Sequence, residues 1–210
     1  MRIINPSFEI KEVESGLDKL KRIEADARVC YKSEDKQDED ATTSKLVAAC
    51  INRGHESIIE HEKITVKVVC DRGVSHEIVR HRIGSYSQES TRYCNYTGEK
   101  FSNQLTVIDP KGAFDWTDEQ YNMWKDSVRF AEDTYNKMIH SGCTPQEARS
   151  VLPNSLKTEI VMTLNMRSWR NFFKLRTAKA THPQMRQIAI PMLEEFKKYI
   201  PVIFDDIEAE

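Results

Sequence analysis

Arg80-His81-Arg82, with Ser90 and Arg92 close behind, sets three cationic or protonatable side chains side by side. Such a knot repels itself unless acids or a bound anion neutralise it, and the planar fork of arginine matches phosphate and carboxylate in bidentate fashion. A second patch runs from Asn165 to Arg186, where Arg167, Arg170, Lys174, Arg176, Lys179 and Arg186 occur with no Asp or Glu among them. On a chain of formal net charge -2, that segregation points to an anionic ligand, with phosphate the first candidate. In Ser85-Tyr86-Ser87-Gln88-Glu89-Ser90-Thr91-Arg92-Tyr93, hydroxyls and an amide alternate with aromatics, the composition of a loop that hydrogen-bonds a base and a sugar. A solvated basic turn is the plainer reading of the same residues.

Other chemistries fit the spacing less well. His76-Glu77 and His81 resemble a zinc-binding helix, but histidines five apart diverge by about 140° around a helix, so no metal site is expected. His55 and His61, in Gly54-His55-Glu56-Ser57-Ile58-Ile59-Glu60-His61, read as hydrogen-bonding groups of a polar loop. Ser90 has no assignable histidine and acid to activate it, which favours binding over nucleophilic attack. Neither a G-x-G-x-x-G nor a Walker loop is present, so side chains must hold any nucleotide. Cys30, Cys50, Cys70, Cys94 and Cys143 are widely spaced and read as reduced thiols.

The elements that must position these groups follow from periodicity. With 210 residues, 39% hydrophobic and 30% charged, the chain can bury a substantial core, and it is expected to be one domain over 1-210. No apolar run approaches the roughly 20 residues of a membrane span, and Met1 leads into a strand-like Arg2-Ile3-Ile4-Asn5, so a cytoplasmic location is expected without membrane attachment. Leu17, Leu20, Ile23 and Ala27 recur at helical spacing, as do Leu46, Val47, Cys50 and Ile51 before Gly54. Ser33 to Thr43 reads as a solvated loop. Ile64, Val66, Val68 and Cys70 alternate as a strand, followed by a short helix with Val74, Ile78 and Val79. Thr117 with Gln120 forms a capping box for a long helix carrying Tyr121, Trp124, Val128, Ala131 and Tyr135 and ending near Gly142. Thr144-Pro145-Gln146-Glu147 opens another helix, ending around Leu152-Pro153. Ile160, Met162 and Leu164 form a strand; Ser168 caps a helix with Trp169, Phe172, Phe173 and Leu175, and a last helix from Pro183 is expected to be disturbed at Pro191. Helices with few strands and no regular alternation indicate α+β, a small mixed sheet flanked by helices.

Arg80-His81-Arg82, seven residues and then Ser90 resembles the signature of the flavin-dependent thymidylate synthases, and Ser87 to Tyr93 extends the match. Gly54-His55-Glu56-Ser57 through Glu60-His61 is similar to the family's early flavin-contacting turn, and Arg149 with Leu152-Pro153 to its Arg-x-x-Leu-Pro segment. Asn165-Met166-Arg167-Ser168, Asn171 and Leu175-Arg176 resemble its C-terminal nucleotide block. The resemblance implies an α+β homotetramer with sites between subunits. It would make dTMP from dUMP with 5,10-methylenetetrahydrofolate as one-carbon donor, NADPH as reductant and FAD as carrier. By the same resemblance, Ser57, Arg80, His81 and Arg82 hold FAD together with Asn165, Met166, Arg167, Asn171 and His182. Gln88 faces both flavin and nucleotide. Glu77, Ile78, Val79 and Arg80 would bind dUMP with Glu89, Ser90, Thr91 and Arg92, joined by Arg149 from a neighbouring chain. Arg176 is the catalytic candidate: a guanidinium beside the pyrimidine stabilises the anion formed when N3 ionises. Glu77 stands where some relatives have an amide, and the Thr177 to Thr181 segment before His182 is longer than in compact relatives.

Two other classes compete. A nucleic-acid-binding module would use the same cations interleaved with Tyr86, Tyr93, Tyr96, Trp169 and Phe172, although a sequence pI near 6.3 offers little surplus charge for a phosphate backbone. A catalytically inactive homologue would carry the same motifs.

Overall fold

The computed structural model describes residues 1–37 and 43–210. The strands are β1 (Arg2–Ile4), β2 (Ser7–Ile10), β3 (Lys63–Asp71), β4 (Gly84–Gln88), β5 (Thr106–Ile108) and β6 (Lys157–Asn165). The helices are α1 (Gly16–Val29), α2 (Thr43–Asn52), α3 (Arg72–Ile78), α4 (Asp118–His140), α5 (Pro145–Ala148), α6 (Met166–Arg176), α7 (Pro183–Tyr199) and α8 (Pro201–Phe204). β1 pairs in parallel with β5, Arg2 opposite Thr106, and a second sheet has the order β2-β3-β6-β4. The fold is α+β. The chain divides into two compact units: Met1–Ser7, Val68–Arg80 and Ser87–Val161 form the first, and Phe8–Lys67, His81–Tyr86 and Met162–Glu210 the second.

In the first unit, α4 begins with the expected capping box: Thr117 Oγ1 accepts the Gln120 N–H at 3.2 Å and Gln120 Oε1 accepts the Thr117 N–H at 2.9 Å. Val128 and Tyr135 are its buried apolar residues, and Tyr135 joins Tyr96, Leu105, Ala148 and Leu156 in one core. Glu132, on the same face, accepts the Leu105 N–H at 2.7 Å and pairs with the N-terminal ammonium at 2.9 Å, which ties α4 to the β1–β5 ladder. Gly142, at φ +97°, ends the helix in the left-handed region that a side chain disfavours. The Glu147 carboxylate accepts the Thr144 N–H at 2.8 Å, as the capping pattern requires, but α5 stops at Ala148 and a 3-10 turn covers Arg149–Val151.

In the second unit, aromatic rings build the core. Trp169, Phe172 and Phe173 on α6 pack with Phe196 on α7 and Phe204 on α8, neighbouring centroids lying between 4.8 and 5.9 Å apart. Two bonds from the β3 end fix the start of α6: the Met166 N–H donates to the Glu62 carbonyl at 3.0 Å and Trp169 Nε1 to the Ile64 carbonyl at 3.0 Å.

The differences from expectation have local causes. Asn165, not Ser168, caps α6; its Oδ1 accepts the Ser168 N–H at 2.8 Å, so the helix starts directly from the last residue of β6. Leu17 is exposed, and the buried stripe of α1 is Leu20, Ile23, Glu24 and Ala27. The stretch read as a loop from Ser85 begins inside β4, whose polar sequence carries little hydrophobic signal. α7 runs unbroken through Pro191, held by buried Ile188, Ala189, Met192, Leu193 and Phe196 around it. The loop expected at Ser33 to Thr43 opens with a 3-10 turn over Glu34–Lys36, and residues 38–42 of it lie outside the described residues.

Candidate functional site

The second unit contains a cavity of about 440 Å³ lined by Glu56, Glu60, Arg82, Ile83, Asn165, Arg167, Ser168, Arg170, Asn171 and Lys174. Helical spacing explains the wall: Arg167, Asn171 and Lys174 fall at i, i+4 and i+7 on one face of α6, while Trp169, Phe172 and Phe173 bury the other. The wall includes the N-terminal turn of α6, whose macrodipole adds positive potential to the side-chain cations. Glu56 and Glu60, on a 3-10 turn over Glu56–Glu60, temper that charge: Glu60 pairs with Arg167 at 2.5 Å and Glu56 lies 3.7 Å from it.

At the far end of α6 stands a second arrangement. His81 is buried, 6% exposed, with its ring 4.8 Å from that of Phe172. Arg176 Nε donates to His81 Nε2 at 2.8 Å, and the Tyr86 hydroxyl donates to the His81 carbonyl at 2.7 Å. An accepting Nε2 requires the proton of a neutral ring to sit on Nδ1. Burial first, and then the Arg176 charge, push the His81 pKa down to about 4. At neutral pH, therefore, His81 is an uncharged acceptor and the positive charge here is that of Arg176. Gly84 keeps β4 close by: a Cβ there would come within 2.3 Å of Leu164 Cδ2 and 2.9 Å of the Tyr86 hydroxyl.

The basic run of α6 and α7 is not uniformly available to a ligand. Arg170 is only 2% exposed; it grips Asp206 through two bonds of 2.6 and 2.7 Å, reaches Glu56 at 3.1 Å and also bonds the Ile203 carbonyl. Arg186 donates to the Thr177 carbonyl at 3.3 Å and to the carbonyl of Glu210. Both hold the C-terminal segment in place. Met166 has a fully buried side chain, whereas Ser57 and His182 are exposed, the latter at the start of α7.

Arg80 closes the first unit, so the basic knot is divided between the units after its first residue. Also in the first unit, Gln88 Nε2 donates to Ser75 Oγ at 2.8 Å and to Thr158 Oγ1 at 3.2 Å, which leaves its carbonyl oxygen as the group with capacity to accept. The Glu89 carboxylate accepts from Lys157 at 2.7 Å and from the Tyr96 hydroxyl at 3.1 Å, holding the strand end rather than presenting an isolated charge. Ser90 Oγ accepts the Arg92 N–H at 3.2 Å in a turn. Arg92 donates to Gln146 at 3.1 Å and lies over the Tyr93 ring. Ile78 is buried in α3, Thr91 is buried, and Val79 and Arg149 are exposed. Glu77 is half-buried on α3.

Of the residues lining the cavity, the sequence reading had not placed Glu56, Glu60, Ile83, Ser168, Arg170 or Lys174 in a site. The spacing of two acids four apart in a turn, opposite a basic run empty of acids, was the available signal for Glu56 and Glu60. The chemistry of the lining fits a phosphate-bearing cofactor: cations at Arg82, Arg167 and Lys174, amides at Asn165 and Asn171, and the positive end of a helix.

Residues 13–202 match the family model described as "Thymidylate synthase complementing protein", Thy1. The chain is 33% identical over 186 residues to the flavin-dependent thymidylate synthase of Geobacter sulfurreducens, which covers 86% of this chain and 78% of that one. It is 36% identical over 155 residues to the enzyme of that name from Pyrococcus furiosus, covering 73% of this chain and 62% of the relative, and 32% identical over 217 residues to that of Corynebacterium aurimucosum, covering 95% and 83%. The match thus spans less than two thirds of the Pyrococcus relative. Among solved structures, the UMP/dUMP methylase PolB of Streptomyces cacaoi, bound with 5-Br dUMP, is similar with a TM-score of 0.76 and 26% identity over 98% of this chain and 96% of that one. A family match over that length, with the ordered motifs it contains, means that the chain belongs to the Thy1 family of thymidylate synthase complementing proteins.

Proposed function

We propose that this protein is an enzyme that methylates dUMP to dTMP, a cytoplasmic flavin-dependent thymidylate synthase working as a homotetramer with sites shared between chains. 5,10-Methylenetetrahydrofolate supplies the carbon. That carbon arrives at the oxidation level of formaldehyde and leaves as methyl, so two electrons are needed, and NADPH provides them by way of FAD; the products are dTMP, tetrahydrofolate and NADP+. Bound FAD contributes the redox chemistry, and the chain's own residues bind, orient and polarise.

The observation that carries this reading is the bond from Arg176 to an uncharged His81 in a chain of this family. Directed at the pyrimidine, the permanent charge of Arg176 stabilises the anion formed when N3 loses its proton, and the ring carbon that attacks the methylene is enriched in electrons. Arg82, Arg167 and Lys174 with Asn165 and Asn171 take the cofactor's phosphates. Gln88 takes an N–H of the nucleotide or flavin through its carbonyl, and Ser90, Thr91, Arg92 and Arg149 take the nucleotide phosphate and sugar. Ser90 serves as a binding group.

Methylation of UMP is a second reading, because the name of PolB includes it. The test adds NADPH anaerobically to FAD-reconstituted protein with methylenetetrahydrofolate and either dUMP or UMP, leaving FAD out of the control. FAD-dependent dTMP is the expected product; a methylated ribonucleotide made faster than dTMP favours the second reading. Flavin bleaching without either product refutes both and leaves a reductase of another specificity.

A further inference from the structure

We propose that His81 is a positioning residue for Arg176: its Nε2 accepts the Arg176 Nε–H and thereby sets the plane in which the guanidinium meets the pyrimidine. The inference rests on the reading that Arg176 acts on a uracil ring. Sequence resemblance assigns His81 to the flavin along with its two arginine neighbours, and the geometry gives it another task. Its ring is buried and packs on Phe172, one helical turn before Arg176 on α6, while its backbone is held from β4 by the Tyr86 hydroxyl. Two elements thus immobilise the imidazole before it meets the arginine. Arg176 is the last residue of α6, on a long side chain that loses considerable rotamer freedom when held, and the 2.8 Å bond joins it to a fixed acceptor 95 residues away in sequence. A protonated His81 would offer no lone pair at Nε2 and would repel the guanidinium, so the arrangement works only with a neutral ring. That excludes His81 as a cationic phosphate ligand in this arrangement.

The test compares His81→Leu, which keeps apolar packing on Phe172 and removes the acceptor, with His81→Gln, which restores an acceptor of similar reach. In flavin-loaded protein, His81→Leu is expected to lower kcat for dTMP formation by about 10- to 100-fold, the loss of a hydrogen bond to a charged group, with flavin content unchanged. His81→Gln should recover most of that loss. A readout free of turnover is solvent exchange of the Arg176 Nε–H, followed by nitrogen-15 NMR of arginine-labelled protein and identified by its absence in Arg176→Lys. It should speed up about tenfold or more in His81→Leu and return towards the wild-type rate in His81→Gln. Unchanged exchange in His81→Leu overturns the proposal, as does equal loss in both variants or a loss of flavin that tracks the loss of activity. If the exchange pattern appears in a wild-type protein that makes no dTMP, the positioning stands and the assigned reaction falls.

Discussion

The middle and the end of α6 give arginine different partners. Arg170 is buried among Asp206, Glu56 and the Ile203 carbonyl, so its charge is neutralised by carboxylates and its donors are engaged in joining α6 to the chain's C-terminal segment. Arg176, six residues on, donates its Nε–H to the uncharged imidazole of His81. A carboxylate cancels the charge of the guanidinium it binds; a neutral imidazole orients a guanidinium and by itself cancels none of that charge. The same residue type on the same helix thus meets two kinds of partner.

Replacing each arginine tests this contrast most directly. Arg176→Ala should reduce dTMP formation by about 10³-fold or more while flavin stays bound, as expected when a group stabilising developing charge is removed. Flavin lost in parallel would mean that Arg176 holds structure as Arg170 does. Arg170→Met should cost about 3 kcal/mol of stability in urea unfolding, the low end for a broken buried pair because Asp206 is half exposed. A cost below about 1 kcal/mol would deny Arg170 its structural role.

Acid should separate the two ends. His81 takes a proton in the unfolded chain near its ordinary value of 6.5 but in the folded protein only near 4. The unfolded state therefore binds more protons between those values, and stability falls as the pH drops from 6.5 towards 4, by up to about 3 kcal/mol. Asp206 behaves differently: the Arg170 hydrogen bonds hold its carboxyl below 3.8, so its contribution is present above that pH and lost as the pH falls further. His81→Gln should flatten the upper window in pH-dependent unfolding and leave the lower one. A slope that persists between pH 6.5 and 4 would show that another group titrates there.

The smallest effect concerns the first turn of α6. Arg167 and Glu60 form an exposed pair, so Glu60→Gln should change stability by no more than about 0.5 kcal/mol yet tighten inorganic pyrophosphate binding by about two- to fivefold, since the phosphate no longer competes with a carboxylate. Weaker binding would assign Glu60 a contact with the ligand in place of this competition.

Much of the fold was legible because it depends on local patterning. The capping box at Thr117, the alternating Ile160, Met162 and Leu164, and the aromatic stripe of α6 all have short-range signals. β4, β5, α8 and the start of α6 were harder to read: three are brief or polar, and at the fourth Asn165 ends a strand and caps a helix at once. Of the candidate site, Arg82, Asn165, Arg167 and Asn171 line one cavity. The expectation that the whole basic run faces an anion fails at Arg170 and Arg186.

Family membership and the α+β class were thus determined by the sequence, because periodicity, capping and ordered motifs lie within short windows. Which cations remain for a ligand was decided only by the tertiary structure. The acids that engage Arg170 stand 36 and 114 residues from it, and the imidazole that orients Arg176 stands 95 residues away. Charge pairing depends on distance in space and on burial, and neither is encoded at short range along the chain.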